Sequence, residues 1–171
     1  MGSIIVNDFG KVYWLLALLI ISGCYDQNNL ETDKSLRRDE NVIRQIHSDY
    51  VKGWLENDEE KIMGLFEENS MIQPNKLNPI EGKENIRSFW FPKDNSITTI
   101  NDFKTEIISF NMLDSLAVTT HTSILDWSYQ KDSTAFGMIQ RGINTTVYRR
   151  QNDRSWKIWR SMWTDIERVP N

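Results

Sequence analysis

The chain changes its hydrophobic pattern once, from steps of three and four residues to strict alternation. Up to Trp90 the apolar side chains recur at helical spacing, and from about Ile97 onward they alternate with polar ones. The first pattern predicts short helices, and the second predicts long β-strands rich in β-branched residues. Helices followed by consecutive strands are typical of an α+β domain.

The first predicted helix begins near Asp39 or Asn41, either of which can cap it. Val42 and His47 flank its apolar face, which makes His47 a boundary residue. The residues of that face recur at three- and four-residue steps: Ile43, Ile46, Tyr50 and Trp54.

Two further helices are predicted. Asp58 caps the second, whose apolar face is Ile62, Leu65 and Phe66 and which ends at Asn69. A short strand over residues 70–73 follows, and the prolines of residues 74–79 then remove backbone donors and form a loop. The third helix spans residues 84–90, with its buried side formed by Ile86, Phe89 and Trp90.

Four long strands are predicted after the third helix, over residues 102–112, 116–129, 135–149 and 155–165. Short turns such as Asp114-Ser115 join consecutive strands, which predicts an antiparallel meander.

The last strand carries large apolar groups on both faces. By alternation, Trp156, Ile158 and Met162 point one way, whereas Trp159 and Trp163 point the other. Both faces are therefore expected to be covered, one by the helices and the other by a second subunit. The alternative is that the outer tryptophans lie flat under long Lys or Arg side chains.

The N-terminus has the pattern of a secretory leader. Residues 12–21 form an apolar run of ten residues after Lys11, too short for a membrane span, which needs ~20 residues. The run ends at Ile21-Ser22-Gly23-Cys24, and Cys24 is the single cysteine of the chain. These residues resemble the lipobox of bacterial lipoproteins. The alternatives are an ordinary secretory signal and a buried apolar helix.

That resemblance implies removal of residues 1–23 and diacylation of Cys24, and so a lipid-anchored protein of the bacterial cell envelope. Residues 24–39 are polar and predict a flexible tether, and residues 40–171 predict the folded domain. The net charge of −4, with charges of both signs intermixed, gives no indication of nucleic-acid binding.

Residues 42–165 resemble the SnoaL-like branch of the nuclear transport factor 2-like superfamily. The resemblance is carried by several short pieces in order. They are Tyr50-x-x-x-Trp54, Asn57-Asp58, Leu65-Phe66-x-x-Asn69-Ser70-Met71, Gln73-Pro74-Asn75, Ile80-x-Gly82-x-x-x-Ile86-Arg87-x-Phe89-Trp90, Tyr148-Arg149-Arg150, Trp156-Lys157-Ile158 and Arg160-Ser161-Met162-Trp163-Thr164. The resemblance implies a cone-shaped α+β domain, with three helices packed on a curved antiparallel sheet of four to six strands around a cavity.

The same resemblance allows a comparison with ketosteroid isomerase, which needs a hydrogen-bond donor and a general base. Tyr50 falls on the position of its donor tyrosine. Its base falls on Pro74, or on Gln73 with a shift of one residue, and neither can accept a proton at neutral pH. The isomerase reaction therefore lacks its base in this chain.

Other candidates for the cavity come from the strands. His121 shares a strand face with Leu125 and Trp127 and can act as a base, or it can be a structural or interface residue. Asp126 lies on the opposite face, which argues against a His–Asp dyad. Arg141, Arg149 and Arg160 either point inward to bind a carboxylate or form surface ion pairs.

Aromatic residues are the stronger indication of a binding site. The elements that converge on the cavity carry Tyr50, Trp54, Trp90, Tyr148 and Trp163. We expect Trp54 and Trp156 to fill the core, and Tyr50 and Trp90 to line the cavity. With two histidines and no clustered cysteines, no metal or other cofactor is expected.

Three functions are consistent with the sequence. The first is a lipoprotein that binds a small apolar or carboxylate-bearing molecule without converting it. The second is a SnoaL-type hydrolase, cyclase or isomerase that uses Tyr50 with His121 or an arginine. The third is an assembly module of the envelope, in which the sheet face pairs with itself as a homodimer or with another protein.

Overall fold

The computed structural model describes the backbone of residues 9–171 and the side chains of residues 33–171. The first eight residues of the signal peptide predicted over residues 1–23, and the side chain of Cys24, lie outside the described residues. The signal peptide and the acylation of Cys24 therefore stay predictions. The chain divides into two compact units, one ending at Asn41 and the other spanning Val42–Asn171. The domain predicted over residues 40–171 overlaps the second unit except at its first two residues.

The first helix, α1, spans Phe9–Glu56. The prediction that it begins near Asp39 or Asn41 is wrong, because no glycine or proline interrupts the chain between Cys24 and Lys52. Helical backbone continues through residues 24–39, for which the sequence predicts a flexible tether; the role of this segment as a spacer stays a prediction. In the described part of the chain, no helix is both long and apolar enough to cross a membrane.

Helices α2 (Glu59–Gly64) and α3 (Lys83–Trp90) are short. Asp58 caps α2 as predicted, since its carboxylate accepts a hydrogen bond of 2.9 Å from the backbone N–H of Lys61. The predicted end of α2 at Asn69 is wrong: the chain leaves the helix at Leu65 and Phe66 already begins a strand. Pairing with the sheet, where Ile158 N–H donates to the Leu65 carbonyl over 2.8 Å, overrides the helical spacing.

Six strands form one sheet in the order β2-β1-β6-β5-β4-β3. Their bounds are β1 (Phe66–Gln73), β2 (Ile80–Glu81), β3 (Ile97–Leu113), β4 (Leu116–Lys131), β5 (Thr134–Arg150) and β6 (Trp156–Pro170). The α+β class and the antiparallel meander from β3 to β6 are confirmed. The sheet is mixed, however, because β1 runs parallel to β6, which corrects the prediction of a purely antiparallel sheet.

Strand β6 contains a β-bulge at Trp159. Tyr148 pairs with Ile158 and Val147 pairs with Arg160, so Trp159 is an extra residue on β6. The bulge reverses the alternation: Trp156 and Ile158 are buried, but beyond it Trp163 packs against the core and Met162 is 51% exposed. The prediction that Met162 shares the face of Trp156 is therefore wrong.

The outer tryptophan is covered by arginines. The guanidinium carbons of Arg149 and Arg160 lie 4.5 and 4.3 Å from the centroid of the Trp159 ring. Long basic side chains therefore shield this outer ring, as in the alternative to a covering second subunit.

The hydrophobic core lies between the helices and the inner face of the sheet. Its fully buried members include Ile43 of α1, Ile62 of α2, Ile86 of α3 and Phe66 of β1. Val42 is exposed, and His47 rather than Val42 extends the buried face of α1. The three helices thus bury one face each against the sheet.

Candidate functional site

A pocket of about 330 Å³ lies between helices α1 and α3 and the inner face of strands β3–β6. The structure brings six of the predicted site residues together in its lining: Tyr50, Trp54, Trp90, His121, Tyr148 and Trp163. Gln73, Arg141 and Arg160 do not line it. Any role of these residues in binding stays a prediction.

One wall of the pocket is a cluster of aromatic rings. The Tyr50 ring lies 6.1 Å from Trp54, 6.4 Å from Trp90 and 6.3 Å from Phe103, measured between centroids. The rings of Trp54 and Trp90 meet edge to face at 5.3 Å. Trp54 therefore lines the pocket and also packs against the core, the role for which the sequence favoured it.

Two histidines face each other in the pocket. The rings of His47 on α1 and His121 on β4 are 4.5 Å apart, edge to face, and both side chains are buried. His47 Nε2 is hydrogen-bonded to Thr105 Oγ1 over 2.8 Å. The prediction that His47 is a boundary residue is wrong, because the apolar face of α1 packs against the sheet at this point.

Burial keeps both imidazoles neutral. Burial first, and then the neighbouring His47, lowers the pKa of His121 to about 4. Burial, and then the nearby Arg44 charge, also lowers the pKa of His47. A neutral imidazole can form hydrogen bonds with a ligand, but a pKa of about 4 makes His121 a weak general base at pH 7.

The two tyrosines of the pocket are protonated as well. Burial raises the pKa of Tyr50 and raises the pKa of Tyr148 to about 12. Both phenols are therefore neutral hydrogen-bonding groups at physiological pH.

The predicted arginines and the glutamine point elsewhere. Arg141 is on the outer face of β5, where its guanidinium pairs with Glu167 over 3.2 Å. Arg160 donates hydrogen bonds of 2.9 Å to the carbonyls of Asn69 and Trp159. The Gln73 amide donates to loop carbonyls, including that of Leu77. The surface ion-pair interpretation therefore describes Arg141.

Arg149 also points outward. It pairs with Glu67, whose carboxylate is buried, and Gln151 donates a further hydrogen bond of 3.0 Å to the same carboxylate. This arrangement anchors β5 to β1 across β6 and has no contact with the pocket lining.

A polar group around Asp165 was not predicted from the sequence. The Asp165 carboxylate accepts hydrogen bonds from Asn75 at 2.8 Å, from Gln140 at 3.1 Å and from Arg168 at 2.5 Å. Gln140 in turn accepts a hydrogen bond from the Trp127 indole N–H. Alternation from Trp163, itself a predicted pocket residue, was the signal that could have placed Asp165 inside.

A second polar pair lies between β4 and β5. Asn144 pairs with His121 across the two strands, and its amide donates to the Ser123 hydroxyl over 2.8 Å. Small polar residues on alternating strand positions gave no signal that distinguishes a pocket from a solvated face. Among residues whose side chains are described, no three His, Cys, Asp or Glu side chains cluster as a metal site would require.

No protein-family model and no curated protein matches this chain. Solved structures do match it. A ketosteroid isomerase-like protein from Erwinia carotovora atroseptica is 12% identical, with a TM-score of 0.63, and the match covers 74% of this chain and 95% of that one. An NTF2-like protein with a cystatin-like fold from Novosphingobium aromaticivorans is 15% identical, with a TM-score of 0.60, over 82% of this chain and 90% of that one.

A hexachlorocyclohexane dehydrochlorinase is also similar, at 12% identity and a TM-score of 0.60, over 81% of this chain and 93% of that one. At such identities the similarity establishes the fold alone. The chain has the nuclear transport factor 2-like fold, as the resemblance of its sequence implies. Proteins of this fold include enzymes as well as members without a named activity.

Proposed function

We propose that this protein is a lipid-anchored envelope protein whose domain holds a small, mostly apolar molecule in the pocket without converting it. In this proposal the pocket is the cavity of the cone-shaped domain. The observation that carries it is the aromatic wall of Tyr50, Trp54, Trp90 and Phe103 around a pocket of about 330 Å³. Small-molecule sites run from about 300 to 1,000 Å³ and are lined mainly by apolar and aromatic side chains.

The state of the two candidate bases in the described lining favours binding over catalysis: the Asp165 carboxylate is already held by Asn75, Gln140 and Arg168, and His121 is a weak base. The pocket contains Tyr50 and His121, the pair expected of a SnoaL-type enzyme. A general base works best with a pKa near the operating pH, whereas burial holds the pKa of His121 at about 4. The enzymatic alternative then requires substrate binding to raise that pKa.

Filling the pocket tests the proposal. We expect Ser123→Phe to weaken binding of naphthalene by about tenfold or more, because Ser123 lines the pocket and a ring there occupies the ligand's volume. Thr122→Phe, one residue away on the outer face, is the matched control and should bind naphthalene as the unaltered chain does. Affinity is measured by NMR titration of the ¹⁵N-labelled full-length chain, and circular dichroism checks the folding of both variants. Equal weakening by the two substitutions would contradict the proposal.

The anchor and the oligomeric state are part of the same proposal. We expect native mass spectrometry of protein purified from its own cell envelope to detect a chain that begins at Cys24 and carries acyl groups. It should also detect a homodimer that pairs through the outer sheet face, where Met162 and Ile166 are exposed. A non-acylated chain beginning elsewhere would contradict the anchor, and a monomer at micromolar concentration would contradict the dimer. A retained molecule recovered unchanged after incubation would favour binding over the enzymatic alternative.

A further inference from the structure

His121 has a nitrogen with no hydrogen-bond partner. The side chain is 5% exposed and lines the pocket, yet its Nδ1 atom is buried and unpaired. A buried polar atom left unpaired costs about 1–3 kcal/mol of folding free energy, so such atoms are rare. His47, the nearest ring, contacts His121 edge to face and has its own partner in Thr105, 2.8 Å away. Nδ1 itself has almost no accessible surface, whereas Nε2, which makes no hydrogen bond with the described residues either, is the ring nitrogen that a ligand in the pocket can reach.

The charged side chains in residues 33–171 offer an anion no partner in the pocket. Among the described residues, none of those lining the pocket is a lysine or arginine. The charged lining residue is Asp165, and its carboxylate is already paired with Arg168 and two amide donors. A carboxylate entering the pocket would lose its hydration without gaining a cation, which is strongly unfavourable.

From these two observations we infer that the pocket selects an uncharged molecule, an aromatic or alicyclic alcohol, phenol or ketone, whose oxygen bonds to His121, and that it excludes carboxylates. This inference rests on the proposed function and adds the chemical class of the ligand. It also narrows the expectation from the sequence, where an inward arginine made a carboxylate-bearing ligand equally acceptable. The aromatic wall around Tyr50 contacts the rings of the ligand, and the neutral imidazole orients its polar end.

Three probes with the same ring system test the hydrogen bond to His121 and the exclusion of carboxylates separately. Near pH 7.5, naphthalene is apolar, 2-naphthol is an uncharged phenol and 2-naphthoate is a carboxylate, as phenol and carboxyl pKa values of about 10 and about 4 require. We expect 2-naphthol to bind the full-length chain about three- to tenfold more tightly than naphthalene, the effect of one hydrogen bond. We expect 2-naphthoate to bind at least about thirtyfold more weakly than 2-naphthol, because its charge has no partner.

The His121→Phe variant removes the nitrogen and keeps a ring of similar size. It should bind 2-naphthol and naphthalene equally, whereas a change confined to packing would alter both affinities together. In the unaltered chain, the ¹⁵N chemical shifts of the His121 imidazole should move on addition of 2-naphthol and stay in place on addition of naphthalene. Should the variant fail to fold, the ranking of the probes and these chemical shifts still decide.

Each outcome has a distinct meaning. Equal affinity for 2-naphthol and naphthalene in the unaltered chain would overturn the role of His121 while leaving an apolar binding site intact. Binding of 2-naphthoate as tight as that of 2-naphthol would overturn the selection against anions. If none of the three probes binds, both the inference and the binding function on which it rests are overturned.

Discussion

Acidification from pH 8 to pH 4.5 is expected to lower the free energy of unfolding by about 2–3 kcal/mol through His121 alone. In the folded chain burial holds its pKa at about 4, whereas the unfolded chain has the ordinary value of 6.5. Between these values the unfolded state binds more protons, so stability is fully present above pH 6.5 and is lost as the pH falls through 4. The nearby charge that acts on this pair is that of Arg44, which lowers the pKa of His47 in the same direction.

Urea unfolding at both pH values, with the unaltered chain and His121→Phe, isolates this contribution. Acidification also protonates carboxylates, but it does so in both proteins. Their contribution therefore cancels when the loss of unfolding free energy in the variant is subtracted from the loss in the unaltered chain. The variant should lose about 2–3 kcal/mol less on acidification. An identical pH dependence in the two proteins would mean that folding does not lower the pKa of His121.

Replacing Arg149 with leucine is expected to destabilise the fold by about 3–5 kcal/mol. The Glu67 side chain is 5% exposed and its carboxylate accepts hydrogen bonds from Arg149 Nε at 3.0 Å and from Gln151. Without the guanidinium, a buried anion remains with a single amide donor. The cost comes from that uncompensated charge more than from the lost contact.

Two further variants identify the cause. The double substitution Glu67→Met with Arg149→Leu should recover most of the loss, since apolar residues can replace a buried ion pair at little cost. Arg141→Leu breaks an ion pair whose side chains are 57% and 55% exposed and should cost no more than about 1 kcal/mol. Chemical denaturation measures all three. A loss for Arg149→Leu as small as that for Arg141→Leu would show that Glu67 is solvated.

The elements predicted correctly are those whose signals are local. Asp58 sits next to the backbone it caps, and the four long strands have alternation and turn residues of their own. The errors concern pairing between distant segments. The parallel contact of β1 with β6 ends α2 early, and no residue between Leu65 and Asn69 carries information about a partner ninety residues away.

Among the candidate site residues, too, the predictions that rest on local spacing are the correct ones. Alternation from His121 correctly groups it with Leu125 and Trp127, and helical spacing correctly places Tyr50 and Trp54. Residue type did not decide the prediction where two different partners could bind the same side chain. An arginine on a strand serves a ligand or an ion pair equally well, and only the position of Glu167 assigns Arg141 to the second. Alternation from Trp163 could have included Asp165, but the bulge that turns both residues inward leaves no reliable sequence signal of its own.

The extra residue at Trp159 lets this part of β6 lose one residue without turning its neighbours over. Ile158 already pairs with Tyr148 and Arg160 with Val147, so deleting Trp159 would leave these pairs in place and restore regular alternation. Trp163 and Asp165 would then stay in the pocket. The same deletion in a strand without a bulge would exchange its two faces, because side chains alternate with a period of two.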